Sequence, residues 1–236
     1  MVRIQKYLRD IGVGSLRECD RLVQSKCVYV NNNLVDTPSI YLKENDIITV
    51  NNKNYTYKSD SDKEFYYIKI NKPKGIISTK NDEYFRKNIF DLLKVNYKNT
   101  LNYAGRLDKN SSGLMVLSSD GDFIYKLTHP KYNIIKEYYV KANYPVNFEQ
   151  LKKISNGVII DGVKYSNFNF NKISEKELFI YLNEGKKHEI RNIIVYIKNV
   201  IDLLIRTKIG NIELGSMKEG EYKFIEPDII KNITEL

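Results

Sequence analysis

Cysteine and histidine are scarce in this chain of 236 residues: Cys19, Cys27, His129 and His188 are the whole supply, and they stand at no metal-ligand spacing. No metal centre and no disulfide framework is therefore expected, and reduced, buried thiols suit a cytoplasmic location. Also missing are an apolar run long enough to cross a bilayer and an amphipathic anchor, which argues against a membrane partner. Neither an apolar signal core nor an Arg/Ser-rich presequence precedes the first amphipathic segment, so no leader is expected.

Positive charge, by contrast, is plentiful. Lys and Arg number 38 against 29 Asp and Glu, a formal charge of +9, which favours a polyanionic partner. Nineteen tyrosines and nine phenylalanines could stack on unpaired bases, although abundant Lys, Asn, Ile and Tyr also fit an AT-biased genome. With 42% apolar residues the chain can bury a core as one large domain or as a small and a larger one.

The stretch with most chemistry is Gly105-Arg106-Leu107-Asp108-Lys109-Asn110-Ser111-Ser112-Gly113, running directly into Leu114-Met115-Val116-Leu117. Two glycines bracket a polar loop that presents Asp108 between Arg106 and Lys109, and flanking cations favour an ionised carboxylate suited to act as nucleophile or base. Asp and Asn between glycines equally suit ordinary turns.

Elsewhere, apolar residues at helical spacing in 3–24, broken at Gly12–Ser15, predict two short helices with Ser15 capping the second. Arg3, Gln5, Lys6, Arg9, Arg17 and Arg21 fall on their polar faces, where Arg3, Lys6, Arg9 and Arg17 are candidate phosphate contacts. A hairpin about Asn31–Asn33 and a strand at Ile47–Val50 follow. Lys58–Glu64 reads as a linker, dividing the chain into domains 1–58 and 65–236 joined by 59–64. Phe65–Ile70 is a strand, and Asn71-Lys72-Pro73-Lys74-Gly75 forms a turn between two strands from which Lys72 and Lys74 would project towards phosphates. Further strands are expected near 136–141, 172–182, 203–209 and 222–225, with helices at 123–127, 148–155 and 186–198. Many strands with few helices give an α+β fold.

The Gly-Arg-Leu-Asp run followed by Ser-Ser-Gly-Leu-Met-Val-Leu-Ser-Ser-Asp-Gly resembles the signature of the RNA pseudouridine synthases, most closely the S4-domain-containing RsuA/RluB-like group acting on ribosomal RNA. The likeness recurs at Asn71–Gly75, Lys136-Glu137-Tyr138, Glu184–Arg191 and Leu204–Gly210, in the family's order. It implies a small S4-like RNA-binding domain and a larger, mainly antiparallel-sheet catalytic domain that isomerises uridine in ribosomal RNA, or a ribosomal subunit precursor, without a cofactor. A monomer is the expectation. By resemblance, Asp108 is the catalytic nucleophile, Arg106 fills the space left by the flipped uridine, Tyr138 packs on the base, Ile190 lies beneath it, and Arg191 pairs with the catalytic carboxylate. The family often has Gln then paired Arg where this chain has Glu189 and Arg191-Asn192, which puts local RNA contacts in question. The rival readings are an inactive RNA-binding assembly factor, disfavoured by the retained Asp108, Tyr138 and Arg191, and a carboxylate hydrolase, for which a second acid is wanting.

Overall fold

The computed structural model describes residues 2–37, 39–58, 64–80 and 82–235. The chain forms two compact units, Met1–Glu64 and Phe65–Leu236. Residues 59–63 of the expected linker lie outside the described ones.

The first unit runs β1 (Val2–Arg3), α1 (Ile4–Asp10), α2 (Leu16–Gln24), β2 (Val28–Val30), β3 (Asn33–Val35), β4 (Tyr41–Leu42), β5 (Ile47–Val50) and β6 (Lys53–Thr56). Ser15 and Glu18 cap α2 reciprocally, each side chain accepting from the other's backbone N–H. Asn31 and Asn32 both take left-handed backbone (φ 50° and 65°), the geometry that lets a two-residue turn match the twist of β2 and β3. A single core of Ile4, Leu8, Cys19, Val23, Val28 and Ile48 joins helices and sheet. Three expectations need correction. Gln5 is buried rather than on the polar face, Arg3 stands in β1 because it pairs with Tyr41 before the helix begins, and Cys27 is exposed.

The second unit begins with β7 (Tyr67–Lys72), a 3₁₀ turn (Ile89–Leu92), β8 (Asn102–Tyr103), β9 (Ser112–Ser118) and α3 (Gly121–Thr128). It continues through β10 (Lys136–Ala142), α4 (Phe148–Ile154), β11 (Val158–Ile160), β12 (Val163–Tyr165), β13 (Asn169–Lys172) and β14 (Glu177–Leu182). It ends with α5 (Glu189–Tyr196), β15 (Ile201–Ile209), β16 (Ile212–Glu213), β17 (Tyr222–Phe224) and α6 (Pro227–Thr234). The main sheet has the order β13-β14-β10-β15-β9-β7-β17, with β8 on β9 and β16 on β15. Its pairs are antiparallel except β9 with β15.

β9 explains why the apolar run after the loop is unbroken. Met115 and Leu117 face one core, with Val140, Leu178 and Ile193; Leu114 and Val116 face a second, with Phe123, Leu127 and Ile233. A strand covered on both faces needs apolar residues at successive positions. Each fully buried side chain of this size contributes about 1.5–3 kcal/mol, so β9 is a firm mount for the loop before it. One sequence expectation fails beside it: among the described residues no second strand follows the Asn71–Gly75 turn directly, and Ile77 makes only an isolated bridge to Asn88.

Candidate active site

The loop of residues 105–111 enters β9 at the edge of a cleft of about 820 Å³ in the second unit. Arg106, Asp108, Tyr138, Ile190 and Arg191 all line it. Four elements bring them together: the loop, β10 with Tyr138, α5 with Ile190 and Arg191, and β15 between β9 and β10.

The loop is anchored from several sides. The Ser78 hydroxyl accepts from Leu107 N–H (3.1 Å) and donates to Leu107 O (2.6 Å), pegging a buried leucine one residue before Asp108. Gly75 N–H donates to Lys109 O (2.8 Å), and Lys72 Nζ donates to Ser111 O (2.8 Å). Arg191 Nη2 donates to Asn110 O (2.9 Å) and Ser111 Oγ (3.1 Å). His188 Nε2 stands 3.4 Å from Asp108 Oδ1. Asp108 therefore belongs to a loop whose backbone is fixed while its carboxylate is left partly open.

Two sequence-based assignments change. Lys72 does not project to phosphate; it is wholly buried, and its ammonium holds the loop and Pro73 O. Pro73 and Gly75 turn the chain so that this lysine and the Gly75 amide face residues 109 and 111, while Lys74 is exposed. Desolvation brings the Lys72 pKa down to about 8, with Asp108 and Glu219 opposing the shift. Arg191, expected against Asp108, grips backbone and hydroxyl groups two and three residues further on, while the side chain 3.4 Å from the Asp108 carboxylate is that of His188. The reason is geometric: Arg191 lies in the first turn of α5, whereas His188, at its N-cap in left-handed backbone (φ 57°), turns towards the carboxylate.

Further members were given no role by the sequence. Lys136 is buried, donates to Ile134 O and Asn183 O (both 3.2 Å), and has its pKa lowered by desolvation to about 8. Arg206 is 2% exposed, with its Nε on Leu114 O at 2.8 Å and its guanidinium 6.0 Å from the Tyr138 ring centre. The signal for Arg206 was its cross-strand register with Tyr138, which appears only once β10 and β15 are paired.

A model described as RNA pseudouridylate synthase matches residues 66–195, spanning this cleft, and an S4 domain model matches residues 2–48. The chain belongs to the RNA pseudouridylate synthase family. It is 31% identical over 235 residues to the dual-specificity RNA pseudouridine synthase RluF of Escherichia coli K12, covering 100% of this chain and 79% of that protein. It is 29% identical to ribosomal large subunit pseudouridine synthase B of Bacillus subtilis, covering 100% and 97%. A crystal structure of a pseudouridylate synthase, 23% identical, shares the fold with a TM-score of 0.71 over 99% of this chain and 100% of that one.

Within this synthase, Glu189 and Asn192 have local structural partners. The Glu189 carboxylate accepts from Lys186 N–H (2.7 Å) and, being buried, has its pKa raised by desolvation. Asn192 donates to the Tyr165 hydroxyl (2.7 Å), tying α5 to the β11–β12 hairpin. Glu189 thus does not compete for Arg191, whose contacts lie on the loop.

Proposed function

We propose that this chain isomerises uridine to pseudouridine in ribosomal RNA, with Asp108 as the nucleophile acting on a flipped-out uridine. The observation that carries this reading is the rigidly anchored loop that presents the Asp108 carboxylate to a cleft shared with Tyr138 and Ile190. The reaction breaks the C1′–N1 bond, turns the base and forms a C1′–C5 bond; C5 loses a proton and N1 gains one, so no outside reactant is consumed. Unstacking the uridine costs about a few kcal/mol, and Arg106, exposed at the cleft, fills the vacated space in the RNA. Tyr138 packs on the base and Ile190 supports it from below. Arg191 acts by holding residues 110 and 111 and so the loop, not by pairing with the carboxylate.

Arg3, Lys6, Arg9 and Arg17 of the S4 domain, with Lys74 of the second unit, supply phosphate contacts. Arg17 and Lys74 are exposed; Arg3 lies over Tyr41, and Arg9 is held by Asp10 at 2.6 Å, which leaves it a weaker contact. Relatives named for ribosomal large subunit and dual-specificity RNA modification support ribosomal RNA as the substrate class, and with it a cytoplasmic location. Mapping pseudouridine in ribosomal RNA from cells with and without the protein tests the reading. A site lost with the gene and restored by the wild-type chain is expected; an unchanged map would refute it.

A further inference from the structure

We propose, resting on the functional reading above, that Arg206 contacts the substrate, its guanidinium donating to a carbonyl oxygen of the flipped pyrimidine. Arg206 is 2% exposed, yet its Nη2 is buried with no hydrogen-bond partner among the described residues, and the side chain lines the cleft. A guanidinium keeps its charge, and a buried charged donor without an acceptor is costly. The side chain cannot easily turn away. Its Nε is fixed on Leu114 O, and its backbone packs so tightly against Gly113 that a Cβ there would lie 2.4 Å from Arg206 O.

Position selects the acceptor. A backbone phosphate stays at the mouth of a cleft, whereas Arg206, almost wholly buried, stands opposite Tyr138 in register and 6.0 Å from that ring. A base packed on Tyr138 brings its O2 or O4 within reach of the free N–H groups. Lys72 and Lys136 each spend two of their three ammonium donors on backbone carbonyls, whereas the Nη2 of Arg206 has no partner among the described residues. As the C1′–N1 bond breaks, its electron pair passes to N1 and charge spreads onto O2 and O4. The pair is withdrawn again as C1′–C5 forms, and Arg206 stays protonated throughout. A fixed cationic donor placed before the charge develops favours that step over the ground state.

The test uses the full chain as wild type, Arg206→Lys and Arg206→Met, with folding checked by thermal melting. The RNA is a ribosomal fragment that the wild type modifies, carrying uridine, 2-thiouridine or 4-thiouridine at the target. Arg206→Met is expected to lower kcat/KM on uridine by about ten- to a hundredfold, as removal of a charge-assisted hydrogen bond would. Wild type should be slowed by sulfur at one of the two positions, and Arg206→Met should lose that discrimination. Equal slowing on all three RNAs would mean that Arg206 only supports the strand. Should Arg206→Met not fold, Arg206→Lys, which keeps the charge but misplaces the donor, is read in the same way.

Binding of uridine 5′-monophosphate, followed by NMR, needs no turnover: the variant should bind about tenfold more weakly than wild type. Equal binding, or no binding by wild type, overturns the Arg206 assignment. A wild type that binds the nucleotide in an Arg206-dependent way but forms no pseudouridine overturns the functional reading and leaves the Arg206 assignment standing.

Discussion

His188 Nε2 lies 3.4 Å from Asp108 Oδ1, with the two side chains 48% and 39% exposed. At this exposure solvent screens the pair, and its contribution to stability falls in the range of about 0–1 kcal/mol. A role in direction is what its position allows: one α5-end residue stands beside the carboxylate while Arg191, three residues on, holds the loop behind it. His188→Ala should therefore leave the melting temperature nearly unchanged and lower pseudouridine formation by about severalfold, far less than loss of Asp108 itself. Rates equal to wild type would show that loop anchoring alone sets the carboxylate.

Lys72 links the site to pH. The folded protein gives up the Lys72 proton near pH 8, whereas the unfolded chain holds it to the ordinary 10.5. Between these values the unfolded state binds more protons, so this lysine makes stability rise with pH; Lys136 acts in the same window. Above about pH 10 the raised pKa of Tyr67 opposes the trend, because there the folded state keeps its proton longer. Lys72→Met should remove up to about 1.4 kcal/mol per pH unit from the slope measured by urea unfolding between pH 8 and 10. At neutral pH its stability should be close to wild type, since an apolar group suits the burial, yet its activity should fall because Ser111 O loses an anchor. An unaltered slope would show that Lys72 does not titrate in this window.

Gly113 is where the loop becomes strand. Its φ is +107°, and a Cβ would lie 2.4 Å from Arg206 O and 2.6 Å from Arg206 N, at the one parallel junction of the sheet among the described residues. Gly113→Ala combines backbone strain with a clash against backbone that cannot yield. It should cost about 3 kcal/mol or more in chemical denaturation. A loss below about 1 kcal/mol would mean that β9 and β15 can part cheaply.

How far the sequence could be read follows from which forces are local. Ser15 before α2, Asn31-Asn32 and the apolar run of β9 act through near neighbours, and the expected cap, turn and strand are present there. β1 with β4 and the helix α6 were not foreseen, because two-residue strands and a short terminal helix exist only through what they pack against. In the site, the residues carried by the family signature do converge on one cleft. Their partners were misjudged at Lys72 and Arg191, since a cation's nearest acceptor is set by burial and by backbone carbonyls that no motif displays.

The two units allow binding to be separated from chemistry. Phe65–Leu236 contains its own two cores, so a chain lacking residues 1–64 should fold and keep the cleft. Its affinity for ribosomal RNA fragments should be lower, and the slope of log affinity against log salt should flatten by roughly one for each phosphate that the S4 domain neutralises. The same affinity and slope in both chains would exclude the S4 domain from RNA binding.

Asp108→Asn isolates the carboxylate. Asn keeps the size and can still face His188, and the backbone anchors at Leu107, Lys109, Asn110 and Ser111 do not involve the Asp108 side chain. Stability should therefore change by less than about 0.5 kcal/mol, as for an ordinary partly exposed position. RNA affinity should hold or rise slightly, since one negative charge beside the phosphates is gone. Turnover, however, requires a nucleophile that the amide does not supply, and pseudouridine in the RNA fragment should fall below detection. Product from Asp108→Asn at the wild-type rate would remove Asp108 from the chemistry. Intact binding with no product from wild type either, on the RNA mapped in cells, would return the chain to an RNA-binding role within a catalytic family.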